Sequence, residues 1–267
     1  RNPFSATLML QACSITDYPE TRQMKLNGNT ILITGGASGI GLALTRLLHR
    51  NGNKIIVCGR DEGRLAGLKK QLPDVVTYPC DLADEPSLDR FADAVLANHP
   101  DLNMLINNAG VQHNFQFTEG RSHGPLIREE LDTNLFAPIR LTDRLLPLLL
   151  RRNSAAIVNI TSALAFAPKK SAAVYCATKS AMRSFTQALR YQLDGSSVAV
   201  FEIVPSLVDT RMTHGRGKGK ITPDFLAGEA VDAIAMDKHD ILIEKTKLLY
   251  LLYRFFPSTA RRLLKNT

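Results

Sequence analysis

Hydrophobic and polar positions follow two alternating periods along the chain. Short apolar, β-branched runs such as "TILITGG", "KIIVCGR" and "VVTYPCD" predict strands, and the stretches "GIGLALTRLLHRNG" and "DEGRLAGLKKQL" between them have helical apolar spacing. The alternation continues with a helix over residues 86–97, strand "LNMLINNAG", a long helix over residues 125–150, strand "AAIVNIT", a helix carrying "YCATK" and strand "VAVFEIVP". A helix starting at Pro223, with Thr222 as its N-cap, and a short strand "DILIE" complete the pattern.

This order of elements predicts an α/β fold with a single doubly wound parallel sheet (a Rossmann fold) and helices on both faces, because continuously apolar strands are buried on both sides. The 267 residues, 45% of them hydrophobic, are enough for one domain. We assign that domain to residues 24–244, with Met24 as a plausible native start. Residues 1–23 show no consistent pattern and begin with Arg1, so we expect a processed leader or a non-native remnant outside the fold.

The formal charge of +8 is concentrated in two places. One is a Gly-rich loop, and the other is the segment 245–267, which has six basic and no acidic residues. No recognition motif accompanies the charge, so a solvated loop and tail are favoured over nucleic-acid binding. The four cysteines lack metal-ligand spacing, and no apolar run reaches the roughly 20 residues of a membrane-spanning helix. We expect a soluble, cytoplasmic protein without a metal site.

The stretch "TGGASGIG", residues 34–41, lies where the first strand meets the first helix. Glycines there allow a tight turn and let phosphate oxygens approach backbone N–H groups at the helix start. An ordinary loop has the same composition, but the position after the first strand favours dinucleotide binding. At the end of the second strand, Gly59 replaces the acid that would bind the ribose of NAD, and Arg60 suits a 2′-phosphate, so NADP is favoured over NAD. Arg60 is also compatible with a surface position before a helix that Asp61 caps.

Tyr175 and Lys179 are four residues apart in "YCATK" and share one helix face. A nearby ammonium is expected to lower the phenol pKa from about 10 by about 1 to 3 units. A phenol tuned in this way can exchange a proton with a carbonyl or alcohol oxygen during hydride transfer. The pair alone also occurs by chance on amphipathic helices.

Several separated motifs together resemble the short-chain dehydrogenase/reductase family. They are "TGGASGIG", "NNAG", Asn134 in "LDTNLFAPIR", Ser162 in "IVNITSALAF", and "YCATK", in family order and at family-like spacing over about residues 26 to 243. Within the family, the chain is most similar to a bacterial group labelled for D-alanine esterification of teichoic acids, a label that says little about the substrate.

The resemblance implies a role for each matching residue. Tyr175 would be the general acid in reduction and the general base in oxidation, Ser162 would hold the substrate carbonyl, and Lys179 would tune Tyr175 and bond the nicotinamide ribose. Asn134 would hold a proton-relay water. The implied cofactor contacts are Gly35, Ser38, Gly39, Ile40 and Gly41 at the phosphate turn, Asp81 and Leu82 at the adenine, Asn108, Ala109 and Gly110 beside the ribose, and Val208 and Thr210 at the carboxamide.

Structural alternatives exist for these assignments. Ser162 and Asp81 are also suited to capping turns, and Asn134 to satisfying backbone groups within a long helix. Cys176 is expected to be a packed thiol rather than a nucleophile. Ser206 stands where the family has glycine, which leaves the path of the following loop open.

Residues 206–221 are predicted to form a mobile substrate lid. The tail from residue 245 combines Leu, Tyr and Phe with basic residues and is interrupted by Pro257. It is suited to covering the substrate pocket, to subunit contact or to an anionic membrane surface. The first two roles together are favoured over membrane contact, and the tail suggests an apolar, lipid-like substrate. The family resemblance implies a homodimer or homotetramer. Two functions remain, an NADP-dependent oxidoreductase and a non-catalytic NADP(H)-binding sensor or scaffold, and the intact Asn, Ser, Tyr and Lys set favours the enzyme.

Overall fold

The computed structural model of the protein describes residues 24–266, which form one seven-stranded parallel sheet with helices around it. The strands are β1 (Thr30–Thr34), β2 (Lys54–Gly59), β3 (Val76–Pro79), β4 (Met104–Asn107), β5 (Ala155–Ile160), β6 (Val198–Val204) and β7 (Asp240–Leu242). The helices are α1 (Gly39–Arg50), α2 (Glu62–Gln71), α3 (Glu85–Asn98), α4 (Gly124–Leu131), α5 (Ala137–Leu149), α6 (Ala173–Gln192), α7 (Pro223–Ala235), α8 (Lys245–Phe255) and α9 (Pro257–Leu264).

Hydrophobic cores cover both faces of the sheet, as the fold prediction requires. Successive strand residues point to opposite faces. Ile31 and Ile33 of β1 therefore join a core with α1, α2 and α7, while Leu32 joins the core with α3, α5 and α6. The predicted doubly wound α/β fold is confirmed. Thr222 caps α7 as predicted, since its side chain accepts a hydrogen bond from the N–H of Phe225 at 3.1 Å.

The strand order β3-β2-β1-β4-β5-β6-β7 reverses direction between β1 and β4. From β1 the chain proceeds outward to β3, returns to β4 on the other side of β1, and proceeds outward again to β7. Loops that follow the two strands at such a switch point diverge and leave a crevice at the carboxyl edge of the sheet. The glycine-rich turn follows β1 and the "NNAG" segment follows β4, so both motifs border this crevice.

The predicted long helix over residues 125–150 has the expected extent, but a π-helical turn interrupts it. The turn is Asp132–Phe136, between α4 and α5, and the N–H of Ala137 bonds to the carbonyl of Asp132, five residues earlier. Pro138 explains the interruption, because it has no N–H to donate to the carbonyl of Asn134, its α-helical partner. Such π turns are frequent at functional sites.

The tail forms two helices that pack over the segment after β5. Helix α8 ends before Pro257, which begins α9, so the predicted interruption is present. Leu249 of α8 packs against Ala167, and the ring centroids of Phe166 and Tyr250 are 5.2 Å apart. No helix among residues 24–266 is both long and apolar enough to cross a bilayer. The predicted leader at residues 1–23 lies outside the described residues.

Candidate active site

The candidate site residues gather at the carboxyl edge of the sheet. The glycine-rich turn follows β1, residues 108–110 follow β4, Ser162 follows β5 and residues 206–210 follow β6. Helix α6 carries Tyr175 and Lys179 to the same edge, where Lys179 bonds to the last residue of β5. Motifs far apart in sequence therefore line one crevice.

The glycine-rich turn is tightly packed and exposes the first N–H groups of α1. Gly35 has φ of 66°, in the left-handed region that favours glycine. A Cβ on Gly41 would lie 2.4 Å from the carbonyl oxygen of Gly35 and 2.4 Å from Nδ2 of Asn108, so no larger residue fits there. Ser38, the N-cap of α1, makes no capping hydrogen bond, and the first turn of α1 has no acidic residue. The N–H groups at the start of α1, beside the half-buried Ile40, are therefore free to bind an anion.

The segment after β4 is fixed to β1 by hydrogen bonds. The hydroxyl of Thr34 accepts from the N–H groups of Asn108 and Ala109, both at 3.0 Å. The amide Nδ2 of Asn108 donates to the carbonyl of Thr34 at 2.8 Å. A Cβ on Gly110 would lie 3.8 Å from Nζ of Lys179, which shows how closely this segment approaches the catalytic candidates.

Asn134 lies in the π turn and is almost fully buried. Its side-chain amide makes two 2.8 Å bonds to the backbone of Val111, accepting from the N–H and donating to the carbonyl. The side chain of Asn134 therefore satisfies backbone groups, which was the alternative to a catalytic role. These groups belong to the loop after β4 and not to the helix that contains Asn134. Pro138 removes the α-helical donor of the backbone carbonyl of Asn134.

Ser162, Tyr175 and Lys179 form one cluster, in which Tyr175 and Lys179 are buried and Ser162 is half-buried. The hydroxyl of Ser162 lies close enough to the phenol of Tyr175 to lower the phenol pKa by hydrogen bonding. It also accepts from the N–H of Leu164 at 3.2 Å, so Ser162 caps a turn as well. Lys179 donates to the carbonyl of Ile160 at 2.8 Å, and its Nζ lies 5.8 Å from the centroid of the Tyr175 ring. The structure therefore brings the predicted catalytic side chains together.

The pKa values of this cluster differ from the sequence expectation. Burial raises the pKa of Tyr175 to about 12, although the hydrogen bond from Ser162 opposes this rise. Burial lowers the pKa of Lys179 to about 8. The expected lowering of the phenol pKa by the ammonium is therefore wrong for the protein alone. The physical reason is that both groups are desolvated and that Nζ bonds to the Ile160 carbonyl.

Glu130 is a site residue that the sequence reading missed. Its side chain in α4 is fully buried, and Oε1 accepts from the N–H of His113 at 2.6 Å. Burial raises the pKa of this carboxyl, and the hydrogen bond from the N–H of His113 opposes the rise. Glu130 thus fixes the loop after β4 to α4. Its only sequence signal is its position one helical turn before Asn134, which does not reveal these partners.

Arg60 follows β2 at the edge where an adenosine ribose would lie in a dinucleotide fold. Its side chain is 57% exposed and forms an ion pair with Glu129 at 2.6 Å. Glu129 also bonds to His113 at 2.8 Å. Asp61 caps α2 by accepting from the N–H of Arg64 at 3.0 Å. This is the cap expected if Arg60 has a surface position before a helix.

The predicted adenine contacts lie after β3. Asp81 is exposed, and its side chain accepts from the N–H of Ala83 at 3.0 Å, which is the turn-capping role that competed with adenine binding. Leu82 is 8% exposed and belongs to the core. The other carboxylate oxygen of Asp81 accepts no hydrogen bond from residues 24–266.

The segment after β6 reaches the glycine-rich turn. Val208 forms an isolated parallel bridge with Ile221, so the loop between them is closed at its base. Cγ2 of Thr210 would be 3.2 Å from a Cβ on Gly39, the first residue of α1. Ser206 is not among the described residues with positive φ, so the backbone at this position does not require glycine.

Cys176 is buried, and burial raises its thiol pKa, as expected of a packed thiol. His123 is buried too and stacks on Phe115 with 4.2 Å between ring centroids. Within residues 24–266, no three His, Cys, Asp or Glu side chains are grouped so that they could hold a metal ion.

Comparison with known proteins gives consistent matches. The family model for short chain dehydrogenase matches residues 29–220. The uncharacterized oxidoreductase DltE of Bacillus subtilis (strain 168) is 40% identical over 230 residues, which are 84% of this chain and 91% of that protein. An uncharacterized oxidoreductase of Staphylococcus epidermidis is 30% identical over 219 residues, 80% of this chain and 94% of the relative.

Solved structures share the fold. A short chain dehydrogenase/reductase from Burkholderia phymatum in complex with NAD superposes with a TM-score of 0.79 at 24% identity, covering 91% of this chain and 97% of the other. A short-chain dehydrogenase from Sphingobium yanoikuyae in complex with NADPH has a TM-score of 0.75 at 26% identity, covering 88% and 94%.

Proposed function

Because the chain belongs to the short-chain dehydrogenase/reductase family, and is therefore an oxidoreductase that uses NAD(P), we propose that it transfers a hydride between NADP(H) and a carbonyl or alcohol substrate. The observation that carries this proposal is the cluster of Ser162, Tyr175 and Lys179 at the crevice that the glycine-rich turn borders. Bound nicotinamide supplies or accepts the hydride, and the side chains of this chain bind the reactants and move the proton.

Tyr175 is the proton donor in reduction. Hydride addition to a carbonyl places negative charge on its oxygen, and a positioned acid removes that charge in the transition state. With a pKa of about 12, the phenol stays protonated through the physiological range, while an alkoxide is more basic still. Ser162 holds the same oxygen by a hydrogen bond. The raised pKa keeps the phenol protonated, as the acid role of Tyr175 in reduction requires, and in oxidation the same oxygen would accept the proton of the alcohol.

Lys179 and Asn134 supply the proton route behind Tyr175. Lys179 uses one N–H on the Ile160 carbonyl, and a protonated ammonium has two more donors for the nicotinamide ribose and a water. The backbone carbonyl of Asn134 is a suitable acceptor for that water, because the side chain of Asn134 is committed to Val111. The segment of Asn108 to Gly110 passes beside the ribose.

NADP is favoured over NAD by the end of β2. Gly59 offers no carboxylate for a free 2′-hydroxyl, and Arg60 is exposed with one bond to Glu129, so its other guanidinium nitrogens are available to a 2′-phosphate. Val208 and Thr210 are placed to contact the carboxamide, and Asp81 and Leu82 to contact the adenine.

The tail supports an apolar portion in the substrate. Phe166, four residues after Ser162, packs against Tyr250 and Tyr253 of α8, with ring centroids 5.2 and 6.1 Å apart. This arrangement favours the pocket-covering role among the three roles predicted for the tail. The outer side exposes Leu248 and Phe255, at 71% and 66%, so subunit and membrane contact both remain open. The homodimer or homotetramer remains a prediction.

Turnover assays test the proposed function. The purified full-length chain is incubated with NADPH or NADH and a panel of aldehydes and ketones of increasing apolar length, and nicotinamide absorbance is followed. We expect consumption of NADPH in preference to NADH with at least one class of carbonyl. Binding of NADPH, seen by its fluorescence, with no consumption across the panel would instead support the sensor or scaffold.

A further inference from the structure

One ion pair joins the two sides of the nucleotide crevice. Arg60 directly follows β2, and Glu129 belongs to α4, which follows β4 along the chain. The strands β2 and β4 lie on opposite sides of β1 in the sheet. Nη1 of Arg60 lies 2.6 Å from Oε1 of Glu129, so the pair connects the end of β2 with α4.

The Arg60 end of this pair lies next to the glycine-rich turn. The N–H of Gly35 donates to the carbonyl of Cys58 in β2 at 2.8 Å. A Cβ on Gly36 would lie 2.7 Å from Cγ2 of Val57, which is also in β2. The turn is therefore packed on the strand that precedes Arg60, and the end of this strand is where a dinucleotide fold binds the adenosine ribose.

The Glu129 end of the pair is held by the loop after β4. Oε2 of Glu129 lies 2.8 Å from Nε2 of His113 in that loop. The same loop approaches the catalytic candidates at Gly110, where a Cβ would lie 3.8 Å from Nζ of Lys179. Glu129 thus has one carboxylate oxygen on the loop and the other on Arg60, and both ends of the pair border the crevice.

The pair affects how strongly Arg60 can bind a phosphate. A guanidinium attracts a phosphate through its positive charge and its planar set of donors. The carboxylate of Glu129 neutralises that charge and occupies one donor of Arg60. The two side chains are 57% and 26% exposed, so a ligand can reach them. A 2′-phosphate must therefore compete with Glu129 for Arg60, whereas a free 2′-hydroxyl does not require Arg60 at all.

We propose that Glu129 is a specificity-determining residue, which limits the preference for NADP(H) over NAD(H) by competing with the 2′-phosphate for Arg60. This inference rests on the proposed function for the location of the 2′-phosphate at Arg60, but it concerns cofactor binding and needs no turnover. It gives α4 a part in cofactor selection beside the end of β2. The chain then discriminates between the two cofactors less strongly than Arg60 without Glu129 would.

Paired titrations of the full-length chain with NADPH and NADH test this role. The fluorescence of bound nicotinamide is followed in wild type and in Glu129→Gln, which keeps the shape of the side chain and removes its charge. We expect Glu129→Gln to bind NADPH about three- to fivefold more tightly than wild type does, as the upper range for exposed ion pairs implies. Its affinity for NADH should change by less than about twofold.

Glu119→Gln is the control for this substitution. Glu119 forms an ion pair with Arg121 at 2.9 Å and is 32% exposed, so the change removes the same charge from a comparable pair. It should leave both affinities unchanged. An equal gain for both cofactors in Glu129→Gln, no gain for NADPH, or the same gain in Glu119→Gln would overturn the proposal. Unchanged NADH binding shows that each variant folds.

The double variant Arg60→Ala/Glu129→Gln tests whether Glu129 acts through Arg60. Its NADPH affinity should equal that of Arg60→Ala within about twofold, because the group for which Glu129 competes is already absent. The full gain in the Arg60→Ala background would overturn the competition.

The single variants separate failure of this inference from failure of the proposed 2′-phosphate site. A selective loss of NADPH binding in Arg60→Ala, without a gain in Glu129→Gln, would overturn the role of Glu129 and leave the 2′-phosphate site standing. An equal loss of both cofactors in Arg60→Ala would overturn both.

Discussion

The nucleotide side of the crevice and its substrate side are built differently. On the nucleotide side, the Thr34 hydroxyl holds the segment after β4, and Gly41 leaves room for nothing larger than hydrogen, so backbone geometry defines the site before any ligand binds. On the proposed substrate side lie the segment after Ser162, the loop between Val208 and Ile221, and the tail. The tail exposes apolar side chains such as Leu248.

The difference indicates what each side requires of its ligand. The nucleotide side offers a fixed anion site at the start of α1, which suits one cofactor. The proposed substrate side consists of loops and tail helices, and we expect their side chains to select the substrate. Substitutions on the nucleotide side should therefore affect folding and cofactor binding together, and substitutions on the substrate side should affect substrate choice.

The largest effect is expected from Gly41→Ala. The new Cβ would meet the Gly35 carbonyl at 2.4 Å, so the turn must move or the chain must unfold. We expect at least about a hundredfold weaker NADPH binding, or loss of folded protein, as overpacking of a rigid site costs a few kcal/mol. Circular dichroism and a fluorescence titration measure both outcomes. NADPH affinity equal to wild type would contradict the rigid nucleotide site.

Gly67→Ala is the control for that substitution. Gly67 lies in α2, and a Cβ there meets nothing within 4 Å. Alanine should therefore raise the free energy of unfolding by about 0.5 to 1 kcal/mol, through helix propensity, and leave NADPH affinity unchanged.

A smaller and more selective effect is expected from Arg60→Ala. Loss of the charged donors to the 2′-phosphate should weaken NADPH by about tenfold and NADH by less than about twofold. Paired titrations of the variant with the two cofactors measure this, with Arg64→Ala on the neighbouring helix as the control. If both cofactors weaken equally, Arg60 has a structural role through Glu129 instead of reading the 2′-phosphate.

Lys179→Met should produce a pH-dependent gain in stability. The pKa of Lys179 is about 8 in the folded chain, below its ordinary 10.5, because burial disfavours the protonated, charged form of the side chain. The resulting destabilisation is complete below pH 8 and disappears as the pH rises through the ordinary pKa. The variant should be more stable than wild type by on the order of 2 kcal/mol at neutral pH, and by much less near pH 10, while losing turnover.

Urea unfolding of both proteins at the two pH values measures this difference. The lost hydrogen bond to the Ile160 carbonyl is common to both pH values, so the change with pH isolates the buried charge. A stability difference that does not vary with pH would mean that burial does not disfavour the charged form of Lys179.

The order of elements was predictable because the two hydrophobic periods are local properties of the sequence. Residues close in sequence determine the positions of the strands and helices. They also determine the Thr222 cap and the interruption at Pro257. The π turn at Asn134 was not predicted, although Pro138 is visible in the sequence, since a proline alone does not determine whether a helix kinks, ends or widens.

The site was predictable only where family motifs mark it. Ser162, Tyr175 and Lys179 come together as expected, but the pKa of Tyr175 depends on burial, which a helical spacing does not encode. Glu130 was missed, because its partner His113 lies on a loop 17 residues earlier in the sequence. Arg60 was identified, yet its ion pair with Glu129 arises from the packing of α4 against the end of β2.

The most direct test of the account is the single-turnover rate of Tyr175→Phe beside Tyr191→Phe, an exposed tyrosine on the same helix. Protein and NADPH are mixed with a saturating carbonyl substrate between pH 6 and 10, and loss of nicotinamide fluorescence is recorded. We predict a loss of at least about a hundredfold in Tyr175→Phe with NADPH affinity retained, and no change in Tyr191→Phe. The wild-type rate should fall above pH 8, where Lys179 loses its proton while Tyr175 keeps its own. Hydride transfer at the wild-type rate in Tyr175→Phe would contradict the assignment of Tyr175 as the proton donor.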